Sequence, residues 1–288
     1  MVAADEIRTF AVFAETVSLS AAARALHLTQ PAVHAHLKRL SGRLGVPLYQ
    51  RAGRGLVLTR EGIEVAAFAR DAVERAAALE ARLRGEAGSR RVVLAAGAGA
   101  LVHVLSPGIR AFTRTYKGTL EILSADAATA VEATLRGTAH VGVGATVSVP
   151  DELEAHLLLD VAQVLVVPRD HPFAKRRRVR LSDLDGARFV LPPEGRPQRA
   201  ALEAAFTAHG VCVDRTATAQ GWEVVLRLVE LGVGLGVVNG SVRLPRALVS
   251  RPLRELPRTR YLAFTRRRPS TEAEVLRSAL VKNVGTPA

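Results

Sequence analysis

Ser20 Ala21 Ala22 Ala23 Arg24 Ala25 Leu26 His27 Leu28 Thr29 Gln30 Pro31 Ala32 Val33 is the stretch that decides the fold of this 288-residue chain. Ser20 is a good N-cap for a short alanine-rich helix over 21–26. Thr29 caps a second helix that opens Gln30 Pro31, with proline in the first turn, where its missing N–H is tolerated. The two helices meet across a tight turn at His27 and Leu28. On the second helix Val33, Leu37, Leu40 and Leu44 recur at spacings of four, three and four and form one apolar stripe. Pro31, Ala35, Lys38 and Gly42 project from the opposite side, with Gln30 and His34 flanking its N-terminal end.

The charge around this pair of helices has one sign. From Thr16 to Arg60 there is no Asp or Glu, while Arg24, Lys38, Arg39, Arg43, Arg51, Arg54 and Arg60 are cationic and His27, His34 and His36 join them. A solvated surface normally interleaves both signs, so an acid-free surface is one kept clear for phosphates. Helix pair and charge together describe a helix-turn-helix whose second helix enters the major groove; the plain alternative is an ordinary helical hairpin. Residues 47–51 then read as a strand, 52–55 as a turn and 56–58 as the returning strand. This is a basic-tipped wing, with Arg51 and Arg54 placed to lie along the sugar-phosphate backbone.

Thr59 caps a long helix to about Gly85 on which Ile63, Phe68, Val73, Ala76, Leu79 and Leu83 leave an apolar stripe. Such a stripe needs a partner, either an antiparallel copy from a second subunit or the chain's own C-terminal part. Residues 85–89 read as a flexible joint. From Arg91 the pattern becomes strands at 92–96, 119–123, 140–143, 164–167, 189–191, 212–217, 236–238 and 260–264, alternating with helices at 101–116, 127–136, 198–209, 222–231 and 271–281. That alternation predicts parallel sheets flanked by helices. Ligands in such sheets bind beyond the carboxyl ends of strands. The candidate positions are therefore Ala98, Gly99, Ala100 and Leu101, then Ser124, Ala145 and Thr146, then Arg196, Gln220 and Trp222.

The opening run, with Leu37, Leu40, the segment Leu44 Gly45 Val46 Pro47 Leu48 Tyr49, Arg51, Leu58, Thr59 and Gly62, resembles the winged helix-turn-helix of LysR-type transcriptional regulators over residues 7–83. The resemblance implies a sequence-specific DNA-binding regulator of transcription that uses the helix-turn-helix from Leu19 to Lys38. Within it Thr29, Gln30 and Pro31 open the recognition helix, and His34, Ala35, Lys38 and Arg39 follow on the operator-facing part. His34, Ala35, His36 and Ser41 depart from the residues common in that family, which implies an operator preference of this chain's own.

By the same resemblance the chain is multidomain: a winged helix-turn-helix over 1–60, a linker and dimerisation helix with its joint over 61–89, and an effector-binding domain over 90–288. The last resembles a type 2 periplasmic solute-binding protein with two α/β subdomains, about 90–160 with 267–288 and about 161–266, the chain crossing near Asp160 and again near Arg266. Its landmarks are the run from Val166 to Phe173, the segment Leu181 Ser182 Asp183 Leu184, and the helix from Trp222 followed by Gly232, Gly234 and Gly236. The implied partners are double-stranded promoter DNA, a second copy of the chain as homodimer or tetramer, an unidentified small-molecule effector in the C-terminal cleft and RNA polymerase.

Composition narrows the remaining classes. Forty Lys and Arg against 27 Asp and Glu give +13, which favours an anionic partner. Residues 1–90 carry 13 cations and nine acids, residues 91–288 carry 27 and 18, so most of the excess lies outside the winged domain. The single cysteine, Cys212, reads as a buried strand residue and rules out an intrachain disulfide. The acidic N-terminus lacks the basic start and apolar segment of an export signal, which with the absent disulfide makes the cytoplasm the expected compartment and a membrane no expected partner. Gly97 Ala98 Gly99 Ala100 imitates the start of a dinucleotide fingerprint but lacks its third glycine at Val102, and no nucleophile elbow, phosphate loop or zinc-protease motif occurs. The histidines show no metal-ligand spacing. We therefore expect no enzyme, no cofactor and no metal; the rival from another class is a small-molecule-binding module or enzyme with an incidental basic arm.

Overall fold

Short-range helical signals dominate residues 4–44. The computed structural model describes residues 3–53, 55–83, 91–146 and 148–284, and there these signals produce α1 (Ala4–Thr16), α2 (Leu19–Leu26) and α3 (Gln30–Leu44). Thr29 caps α3 as expected, its hydroxyl accepting from the Ala32 N–H at 3.3 Å. Ser20 does not cap α2: Ser18 does, accepting from the Ala21 N–H at 3.3 Å, and Ser20 lies inside the first turn. The helix begins earlier than expected because an N-cap oxygen serves a donor two or three residues on. Val33, Leu37 and Leu40 are fully buried against Phe10, Phe13, Ala22, Ala23 and Leu48, whereas Leu44 departs from the expected stripe and stays 39% exposed, being the last helical residue before the left-handed Gly45.

The hairpin β1 (Tyr49–Ala52) and β2 (Gly55–Leu58) pairs Arg51 with Leu56 and Ala52 with Gly55, a tighter turn than expected. Arg54 lies outside the described residues, as does the joint at 85–89. Thr59 caps α4 (Arg60–Leu83), its hydroxyl accepting from the Gly62 N–H at 3.0 Å and donating to the Pro47 carbonyl at 2.7 Å. A helix of 24 residues extends about 36 Å at 1.5 Å per residue. Its first turns bury Ala66 and Ala69 in the core of the winged domain, so the long helix is an integral wall of that core.

Beyond it, one sheet runs in the order β4–β3–β5–β12–β6, with β3 (Arg91–Ala96) parallel to β4 (Thr119–Ser124) and β5 (Val141–Ala145), and β12 (Thr259–Arg266) antiparallel to β5 and β6 (Leu153–Val161). The helical stretch α5 (Ala98–Ala100), a π turn (Leu101–Leu105) and α6 (Ser106–Thr115) cover one face together with α10 (Thr271–Lys282); α7 (Ala127–Leu135) covers the other. The π turn has a local cause. Pro107 has no N–H to donate, and the Ser106 hydroxyl bonds the Leu101 and Val102 carbonyls at 2.8 and 2.9 Å.

The second subdomain holds an antiparallel sheet β10–β7–β11, with β10 (Gly236–Asn239), β7 (Gln163–Pro168) and β11 (Leu248–Pro252), and a parallel pair β8 (Arg188–Leu191) and β9 (Asp214–Thr218). A bridge between Phe189 and Leu235 joins the two sets. β7 alternates strictly, Leu165 and Val167 packing under α8 (Pro197–Ala208) while Val164 and Val166 pack under α9 (Trp222–Glu230).

Three expectations change. The sheets are not all parallel: the first is mixed, because β12 runs antiparallel to β5, and β10–β7–β11 is antiparallel throughout; β6 and β11 are strands where none was read. β6 contains the run Leu157 Leu158 Leu159, which lacks period-two alternation, and Leu157 is left 49% exposed; β11 ends in Ser250 Arg251 Pro252, residues that read as loop. Next, the return crossing is not near Arg266 but between β11 and β12, since Thr259–Arg266 pairs on both sides within the first sheet. Finally, Cys212 is exposed before β9, its N–H donating to Asp185 Oδ1 at 2.8 Å, rather than buried in a strand.

Candidate nucleic-acid interface and interdomain cleft

α3 presents Thr29, Gln30, Pro31, His34 and Lys38 to solvent on one side, with Ala35 half-buried between them, and Ser20 is exposed at the start of α2. Arg51 is exposed on β1. His36 sits at the core margin, its Nδ1 sharing a 2.8 Å hydrogen bond with the Thr9 hydroxyl.

Arg39 differs from its expected role. It pairs at 3.1 Å with Glu6, which is 3% exposed on α1, and Arg43 reaches the same carboxylate oxygen at 3.4 Å. An acid from outside the acid-free segment therefore occupies two of its cations. The signal was in the periodicity: Glu6 lies four residues before Phe10 and seven before Phe13, on the buried stripe of α1. Arg24, Lys38 and Arg51 have no carboxylate partner among the described residues, so they carry the open charge of this face.

Among the C-terminal candidates, Gly99 and Trp222 meet across the gap between the subdomains. Gly99 lies directly under the Trp222 indole: a Cβ there would stand 2.7 Å from Trp222 Cε3, so only glycine lets the ring approach. Trp222 makes an edge contact with Tyr261 at 6.4 Å and lies 5.8 Å from the His103 ring. Arg196 reaches over to Asp126 of the first subdomain at 2.9 Å. Asp126 also caps α7, accepting from the Thr129 N–H at 3.0 Å; that backbone bond first, and Arg196 with it, hold its carboxyl below the usual range.

Ser124, Ala145 and Gln220 are exposed, Ala98 is exposed, Ala100 is buried and Leu101 is half-buried against the first core. Thr146 turns away, its hydroxyl donating to the Ser148 carbonyl at 2.8 Å. Further cleft residues were missed by sequence reading. His103 bonds Glu223 at 3.1 Å and accepts from the Arg243 N–H at 3.3 Å, and Asn239 donates to the Tyr261 hydroxyl at 2.6 Å. Burial pushes the pKa of that phenol up, the Asn239 hydrogen bond opposing it. A hollow of about 330 Å³ opens beside them, lined by His103, Glu223, Leu226, Arg227, Glu230 and Arg243 among others. Among the described residues no group of side chains is placed to hold a metal, and no helix is long and apolar enough to cross a membrane.

Residues 4–63 match the bacterial regulatory helix-turn-helix protein of the lysR family, and residues 85–284 match the LysR substrate binding domain. The chain belongs to the LysR family of transcriptional regulators. Among curated relatives, the RuBisCO operon transcriptional regulator of Allochromatium vinosum is 29% identical over 244 residues, 81% of this chain and 78% of that protein. The transcriptional regulator TfdS of Cupriavidus pinatubonensis is 32% identical over 264 residues, 86% of this chain and 84% of that one. A cysteine-to-aspartate variant of full-length OxyR from Pseudomonas aeruginosa superposes with a TM-score of 0.70 at 20% identity, covering 98% of this chain and 99% of that one. Full-length CbnR in complex with its target DNA superposes at 0.54 with 23% identity, covering 96% and 99%. This LysR-type regulator is a DNA-binding transcription factor with an effector domain rather than an enzyme.

Proposed function

We propose that this regulator reads its operator with α3 and grips the flanking backbone with the wing. The carrying observation is the exposed, carboxylate-free side formed by Thr29, Gln30, Pro31, His34 and Lys38 on α3 with Arg51 on the hairpin. Gln30 and His34 stand where base edges lie, next to Ala35, while Arg51, joined by Arg54, positions the domain on phosphates. Arg39, tied to Glu6, supports the helix rather than the contact.

The protein works as a homodimer or a dimer of dimers. Phe68, 63% exposed, and Leu79, 47% exposed, lie on the long helix where a second copy would cover them. Two recognition helices then read related half-sites, with RNA polymerase as the machinery they influence and the cytoplasm as the compartment. A small effector enters beside Gly99, Trp222 and Arg196 and changes how the subdomains close; Ala98, Leu101, Ser124, Ala145 and Gln220 form the surrounding rim, with Ala100 behind it in the core and Thr146 at its edge, turned away. Gel-shift titration tests the whole reading: affinity for the region upstream of the chain's own gene should exceed that for random DNA, and equal affinity for both would remove it.

A further inference from the structure

One helix touches both ends of the machinery. At its N-terminus Asp126, the α7 cap, is ion-paired at 2.9 Å with Arg196 of the second subdomain, across the cleft. At its C-terminus the Arg136 carbonyl accepts from Arg70 Nη1 at 2.9 Å. Arg70 belongs to α4 and is 9% exposed; its other nitrogen lies 3.5 Å from Glu15 Oε1, on α1 of the winged domain. Beside it Asp71 pairs with Arg266, the last residue of β12, at 2.5 Å. Nine helical residues span about 13 Å, and Ala130, Ala133 and Thr134 are buried along the way, so the helix moves as a rod within its subdomain.

We propose that α7 is the strut that couples the cleft to the DNA-binding domain, and that Arg70 is the positioning residue at its receiving end. The inference rests on the cleft reading above. When the subdomains change their separation, the Asp126–Arg196 pair pulls or releases one end of α7. The helix C-terminus carries the negative end of its dipole, and Arg70 is the cation seated there. Displacing that carbonyl shifts a buried guanidinium that also contacts Glu15 on α1. Binding at the cleft thus has a continuous path of named contacts to the helix that backs the recognition helix, and it needs no change in the sheet.

A double-mutant cycle on the full-length protein tests this. Asp126→Asn breaks the ion pair while keeping a good N-cap, and Arg70→Met removes the receiving contact. Affinity is read by fluorescence anisotropy on a duplex from the region upstream of the chain's own gene and on a random duplex of equal length. Asp126→Asn should move the upstream-duplex Kd by about threefold or more, and the shift should disappear in the Arg70→Met background. Hydrogen exchange of the last turn of α1, around Glu15, gives a second reading without DNA and should follow the same pattern. Arg136→Ala should leave both readouts alone, because the bond is made by the backbone carbonyl; a loss of coupling there would overturn the proposed contact. Equal Asp126→Asn effects in both backgrounds, or none in either, would overturn the strut. If Arg70→Met fails to fold, Arg70→Lys, which keeps the charge but cannot reach both partners, takes its place. A wild-type protein that prefers neither duplex would instead remove the regulator reading, while the exchange measurement still decides the coupling.

Discussion

Arg51→Ala isolates the wing's charge. The side chain is exposed on β1, has no carboxylate partner among the described residues, and sits opposite Leu56 in a register set by backbone hydrogen bonds, so truncation leaves the hairpin in place. Each phosphate neutralised contributes about 0.9 to the slope of log K against log salt. A dimer has two wings, so the variant's slope should be shallower by about 1.8. Between about 50 and 200 mM salt, a fourfold range, the wild-type loss of affinity should then exceed the variant's by about twelvefold. Fluorescence anisotropy over a KCl series on upstream and random duplexes gives both slopes, and the flattening should be the same on the two sequences, since phosphates carry no base identity. An unchanged slope, or a loss confined to the upstream duplex, would refute the assignment of Arg51 to the backbone.

Three further outcomes follow from the geometry. Glu6→Gln releases Arg39 and Arg43 from their shared carboxylate and should steepen the same salt slope while lowering thermal stability; a flatter slope would show that the pair presents those cations to DNA rather than withholding them. Gly99→Ala must displace the indole it touches, and because Trp222 is the chain's single tryptophan, its emission should shift to the red; an unchanged spectrum would mean the ring does not rest on Gly99 in solution. Gly62→Ala places a methyl 1.8 Å from the Leu48 carbonyl oxygen and should destabilise the winged domain by about 1–3 kcal/mol in thermal unfolding, a value near zero contradicting that contact.

The winged domain was legible because its signals are local. Caps, proline in a first turn and a 3.6-residue stripe are written within a dozen residues, and they erred by only a residue or two, at Ser18 against Ser20 and at Leu44. Sheet topology is not local. β6 and β11 owe their existence to partners about a hundred residues away, Leu153 opposite Arg266 and Leu248 opposite Pro168, so neither their composition nor their period announced them. The cleft stood between these cases: strand ends pointed to Gly99, Arg196 and Trp222, but His103, Asp126, Asn239 and Tyr261 are brought there only by folding. In the second half many guanidinium groups are spent internally, as in Arg91 with Glu121, Arg199 with Glu203 and Arg258 with Asp160, and such one-to-one pairs leave the net positive excess of that half as it was.

The junction between wing and long helix has a consequence for the operator. The Leu48 carbonyl accepts the Thr59 N–H at 3.1 Å while Gly62 packs against it, and the Thr59 hydroxyl ties Pro47 to the first turn of α4. There is no pivot at this point. In a dimer built on the long helices, the angle at which they cross is therefore handed unaltered to both wings. The distance between half-sites becomes a property of helix crossing rather than of the reading heads, and an operator with its halves moved by a few base pairs must be met by twisting the DNA, because the protein has no slack there to offer.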